Sequence, residues 1–163
     1  AGVRKLILFN SHGGQQSLVD LAAVRLRVEL GILAVRANYA AFGTPPGLFD
    51  ADELRRGLHG GELETSLILH LRPDLVRRQA LEDFRGLTSE LEGGSGLLGV
   101  ERPAGIGWMS QDLHPQGVCG AADRADAERG AVLLGYLADC LARLVEETAA
   151  LPLARLRDSG HGA

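Results

Sequence analysis

The 163-residue chain predicts an α/β fold with a mostly parallel central sheet flanked by helices. Three observations carry that prediction. Leu6-Ile7-Leu8-Phe9 is an uninterrupted apolar run of strand length, the pattern of a strand covered on both faces. Residues 15–30 then change period. Leu18, Leu21, Ala22, Leu26 and Leu30 recur at helical spacing, and Gly31 closes the segment where a left-handed cap is expected. Ile32-Leu33-Ala34-Val35 restores the strand pattern, which completes a βαβ unit with a parallel, right-handed crossover.

Further along, residues 38–50 read as a loop carrying Gly43, Pro45, Pro46 and Gly47. A short helix is expected near residues 52–56. A second follows through Glu64, Leu67, Ile68 and Leu71 until Pro73 stops it, with Asp74 placed to cap a further turn. His70 falls within the apolar face of that helix and is expected in the core. Residues 86–105 hold seven glycines or prolines and read as a long loop. The last element runs over about residues 123–150, with Val132, Leu133, Tyr136, Leu137, Cys140, Leu141, Leu144 and Val145 as its stripe. Residues 158–163 are expected to be a disordered tail, which leaves 1–157 as the domain.

Composition narrows the function. A formal charge of -4 leaves no basic footprint for nucleic acid, and 4% aromatic content offers few stacking platforms. No apolar run has the ~20 residues of a membrane span, so no membrane partner is expected. The two cysteines, Cys119 and Cys140, have no C-x-x-C spacing; small core residues in a reducing, cytoplasmic setting are expected. The chain starts with Ala1-Gly2-Val3 close to a strand, which reads as a fragment of a longer protein.

Three stretches carry chemistry. Asn10-Ser11-His12-Gly13-Gly14 sits where a strand gives way to a helix, the usual ligand position in an open α/β sheet. His12 can ligate a divalent ion, or it can simply hydrogen-bond its loop, while Gly13 and Gly14 admit a ligand close to the backbone or make a turn. A phosphate cradle at the helix start is a third reading, with no Walker-type lysine to support it. His59-Gly60-Gly61-Glu62-Leu63-Glu64-Thr65-Ser66 places a histidine, two glycines and two carboxylates at a helix start. His59 can transfer protons, and Glu64 can bind or orient a metal. Glu62 lies about 200° away around the helix and reads as a residue favouring its positive end, with Thr65 or Ser66 as the cap. The third stretch, from Gly105 to Gly117, holds Trp108 and Met109, which either shape a substrate pocket or fill a core or interface.

In this order the stretches resemble the creatininase family. The resemblance rests on residues 4–14, on 59–66 followed by Pro73-Asp74-Leu75-Val76, and on 107–117 as found in one bacterial subgroup. It implies a creatininase-like fold, hydrolysis of a non-peptide C–N bond in a cyclic amide, a creatinine-like compound or a formamide, and often a homo-hexamer. It also implies two divalent ions (Zn, Mn or Fe) and a metal-activated water as nucleophile. Carried over residue by residue, His12 and Glu64 are the metal ligands and His59 is the catalytic histidine; Gly13 and Trp108 are the candidate substrate-binding residues.

The chain departs from the family at several positions. Ser11 replaces the usual glycine, Gln15 an asparagine, Gly13-Gly14 the Tyr-Glu pair of creatininase, and Arg55-Arg56 its Trp-Asp pair. These changes make a related amide a better expectation than creatinine. The family's Glu-x-His and bridging Asp have no counterpart among the eleven residues before His12. The N-terminal portion of the domain is therefore expected to be absent here, and the isolated chain inactive. The alternative is a non-catalytic fragment, or an assembly or binding module, that retains the fold without a complete metal site.

Overall fold

A computed structural model describes residues 2–92, 97–101 and 103–157, so the 158–163 tail lies outside the described residues. The chain divides into two compact units, one of residues up to 44 with those from 136, the other Pro45–Gly135.

In the first unit, strand β1 (Lys5–Asn10) is followed by a 3-10 turn over Gly13–Gln15, helix α1 (Gln16–Leu30) and strand β2 (Leu33–Asn38). β1 and β2 pair in parallel from Lys5↔Leu33 to Asn10↔Asn38, as the βαβ reading requires. Gly31 ends α1 at φ 64 and donates its N–H to the Arg27 carbonyl, a left-handed cap. Arg36 of β2 pairs with Asp20 of α1 at 2.7 Å.

Two expectations fail in this unit. β1 is half-buried rather than covered on both faces, and Phe9 is 41% exposed. The leucine stripe of α1 is not the core face either. Leu18 and Leu21 are 70% and 68% exposed, and Ala23 is the residue the helix buries. Periodicity reveals that an apolar face exists, but it does not say which side packs against the strands.

The second unit begins with helix α2 (Ala51–Arg56), capped by the Asp50 carboxylate accepting from Asp52 N–H at 2.7 Å. Helix α3 (Glu62–Leu71) follows. His70 is exposed near its C-terminus, which corrects the core placement. After Pro73 the chain makes two 3-10 turns, Pro73–Leu75 and Arg78–Ala80, and Asp74 pairs with Arg72 at 2.7 Å instead of capping a helix.

Strand β3 (Asp83–Phe84) pairs antiparallel with β6 (Gly120–Ala121), and β4 (Leu98–Gly99) pairs in parallel with β5 (Ala104–Gly105). The expected long loop holds a helix, α4 (Leu87–Glu92), because Leu87 and Leu91 share a helix face and pack on a core of Val100, Leu113 and Cys119. A short α5 (Ser110–Leu113) precedes β6. Helix α6 (Ala127–Ala150) closes the described fold and buries Leu133 and Leu137 from its predicted stripe. Among the described residues the strands form three two-stranded sheets, β1–β2 and β4–β5 parallel and β3–β6 antiparallel. Cys119 is buried and Cys140 half-buried, both as free thiols. Among the described residues, no helix is long and apolar enough to cross a membrane.

Candidate functional site

The first motif leaves β1 through Asn10, whose side chain is 3% exposed. Its Oδ1 accepts from His12 N–H at 3.2 Å and from the Gln15 amide at 3.0 Å, and its Nδ2 donates to the His12 carbonyl. One buried amide thus holds the whole turn, as asparagine does when it folds back on its own backbone. His12 itself is exposed, as are Gly13 and Gly14. Nothing stands within 4 Å of where a Cβ would lie on Gly13. At the carboxyl ends of β1 and β2 the same unit holds a cavity of about 300 Å³, walled by Asn10, Gln16, Asp20, Arg36, Asn38 and Phe42. That is the lower end of the range for small-molecule pockets.

The second motif is built differently. The half-buried His59 exchanges both backbone hydrogen bonds with Cys119, donating at 3.2 Å and accepting at 2.7 Å. Gly60 turns the chain at φ 65, a conformation L-residues rarely adopt. Its N–H donates to Glu64 Oε2 at 2.5 Å and its carbonyl accepts from Thr65 Oγ1 at 2.9 Å, so the first turn of α3 grips the peptide beside His59. Neither Thr65 nor Ser66 caps α3. Gly61 is the cap residue and offers no side chain, while Ser66 Oγ accepts from Asp126 N–H at 2.9 Å.

Glu62 and Glu64 point apart, as helical geometry requires. Glu62 lies in the first turn of α3, as expected of a residue favouring its positive end, and is also buried. Its side chain is 2% exposed and paired with Arg129, while its second oxygen is buried with no hydrogen-bond partner. Burial raises the Glu62 carboxyl above its ordinary value, with the Arg129 hydrogen bond and charge pulling the other way.

A residue absent from the sequence-based candidates organises the site. Glu53 of α2 is 8% exposed, its Oε1 accepts from Glu62 N–H at 2.7 Å, and its Oε2 accepts from Ala121 N–H at 2.9 Å. The available signal was glycine itself, at positions 57, 61 and 120. Trp108 packs half-buried against the Val100–Leu113–Cys119 core and donates its indole N–H to Glu101 at 3.0 Å, while Met109 is 60% exposed.

His59 and Glu64 thus share one turn of the second unit, and His12 and Gly13 belong to the first. Among the described residues, no three His, Cys, Asp or Glu side chains gather to hold a metal ion. The donors present therefore do not fit a two-ion centre by themselves.

The fold and its two His-Gly-Gly turns define the class: an α/β protein with imidazoles at a strand exit and at a helix entry. The profile of the creatinine amidohydrolase family, Creatininase, matches residues 1–145, so the chain belongs to the creatininase family. Among solved structures, a protein of Bacteroides fragilis named as a creatinine amidohydrolase is 25% identical over 93% of this chain and 56% of its own, at TM-score 0.68. A variant creatininase complexed with creatine is 25% identical over 92% of this chain and 59% of its own, at TM-score 0.63. Creatininase in a manganese form is 26% identical over 90% and 57%, at TM-score 0.62. The chain therefore spans less than two thirds of the length of each. A comparison with curated proteins found no match.

Proposed function

We propose that residues 1–157 are part of a creatininase-like domain of a metal-dependent amidohydrolase that cleaves a non-peptide C–N bond. The single observation that carries this is the family match, which runs from residue 1 to 145 and takes in both His-Gly-Gly turns. The substrate class is a small amide: cyclic, creatinine-like or a formamide. Hydrolysis adds water across the bond, forming C–O and breaking C–N, and the proton passes to the leaving nitrogen. His59 is assigned that transfer, because the turn fixes its backbone on both sides while its side chain stays half-exposed.

In the same reading His12 and Glu64 are each assigned as a ligand of divalent metal (Zn, Mn or Fe), with manganese and zinc forms among the matched structures. Gly13 and Trp108 are each assigned to substrate binding. The working form is a cytoplasmic homo-oligomer. Since the described donors do not fit a metal centre alone, further ligands belong to this reading.

The test is amide hydrolysis by the full-length protein before and after chelation, with metal content measured in parallel. Loss of turnover on chelation and its return with Mn²⁺ are expected. Turnover untouched by chelation would sink the metal-dependent reading. A folded, metal-free protein without amidase activity would assign the chain to a binding or assembly module instead.

A further inference from the structure

We infer that Glu53 is the positioning residue of the His59 turn: a buried carboxylate that locks the turn onto residues 119–121. The inference rests on the reading of His59 given above. α3 opens on an uncapped N-terminus, because Gly61 has no side chain to accept from the first N–H groups. Glu53 supplies that acceptor from another helix. Its Oε1 takes the Glu62 N–H at 2.7 Å and its Oε2 takes the Ala121 N–H at 2.9 Å. Negative charge at a helix start is favoured, so the carboxylate suits the place.

The two bonds join the segments that His59 and Cys119 already pair, at the third residue after His59 and the second after Cys119. Three close approaches make room for the carboxylate. A Cβ on Gly57 or Gly61 would fall on Glu53 Oε1, and one on Gly120 would stand 2.6 Å from it. Gly120 also takes φ 138, outside the usual range of L-residues. A carboxylate with two backbone donors, enclosed by three glycines, has little freedom to move. Misplacing a catalytic group by about 1 Å can cost on the order of 100-fold in rate, so a rigid His59 backbone has a direct kinetic consequence.

Glu53→Gln tests the inference, assayed well below the variant's melting midpoint. Glutamine keeps the shape but turns an NH₂ toward one of the two N–H donors. The expected result is a fall in kcat of roughly 10–100-fold with KM within about twofold. In protein labelled with ¹⁵N-histidine, the His59 ring signals shift while those of His12 stay in place. Wild-type kcat with unmoved His59 signals overturns the inference, and so does a rise in KM as large as the loss in kcat. If the wild-type protein turns over no amide, the functional reading fails, and the ring signals alone decide the role of Glu53. Should the glutamine variant not fold, Glu53→Asp takes its place. It keeps the charge and ends one methylene short, and the same displacement of the His59 signals is expected.

Discussion

The two His-Gly-Gly turns share a tripeptide and almost nothing else. Around His12 the turn hangs from one buried asparagine, and its glycines face solvent with room for a side chain at Gly13. Around His59 the turn is bolted at every peptide: to Cys119, to Glu64 and Thr65, and through Glu62 to Glu53. The difference teaches what the glycines are for. In the second turn Gly60 supplies a positive φ and Gly61 clears space for a buried carboxylate. In the first the glycines leave the backbone open, which suits a ligand or a partner segment approaching from outside.

Substitutions can break this contrast, and the largest effect is expected at Gly120. A Cβ there would meet the Gly61 and Gly57 Cα atoms at 2.8 and 2.9 Å, in a backbone conformation alanine rarely adopts. Gly120→Ala is expected to cost about 3 kcal/mol or more in denaturant unfolding. Next comes Arg129→Ala, which strands the buried Glu62 carboxylate. Arg129 remains 33% exposed, so the loss is expected at roughly 2–3 kcal/mol, below the ~3–5 of a fully buried pair.

A pH-dependent effect is smaller. Burial holds the Glu62 carboxyl above its ordinary value in the folded chain. Between that ordinary value and the raised one, the folded state keeps a proton that the unfolded chain has released. Stability therefore falls as pH rises through this window and is level on either side of it. Glu62→Gln is expected to flatten that segment of the melting-temperature profile; an unchanged slope would show that other groups set it. The smallest effect belongs to the first turn. Gly13→Ala is expected to shift stability by no more than about 0.5 kcal/mol, since nothing occupies the space the methyl group takes. A loss there as large as at Gly120 would erase the distinction between the turns.

Much of this was legible in the amino-acid order. β1, α1 and β2 follow from a change of period, and the β1–β2 pairing appears in the expected parallel sense. Helices α2, α3 and α6 fall close to the expected residues, with Pro73 just beyond the end of α3 and an apolar stripe along α6. The expected caps at Thr65, Ser66 and Asp74 are not made. The family resemblance was visible in the His12 and His59 motifs, and the profile match bears it out.

What stayed hidden has a common physical cause. A stripe such as Leu18 and Leu21 declares an apolar face without declaring its cover, and these residues are exposed in the described fold. Glu53 looked like one acid among the charges of a short polar helix, and only three-dimensional closure reveals Gly57, Gly61 and Gly120 around it. Glu62 looked like an ordinary helix-start charge because its partner Arg129 lies 67 positions away. His70 shared an apolar neighbourhood in sequence but sits on the exposed side of the last turn of α3.

The account turns on His59 as the proton-transferring residue of a metal-dependent amidohydrolase. The most direct measurement is turnover alongside metal content in His59→Asn of the full-length protein. The account predicts wild-type metal content and melting temperature with kcat reduced by about 100-fold or more. A variant that keeps wild-type kcat would contradict it.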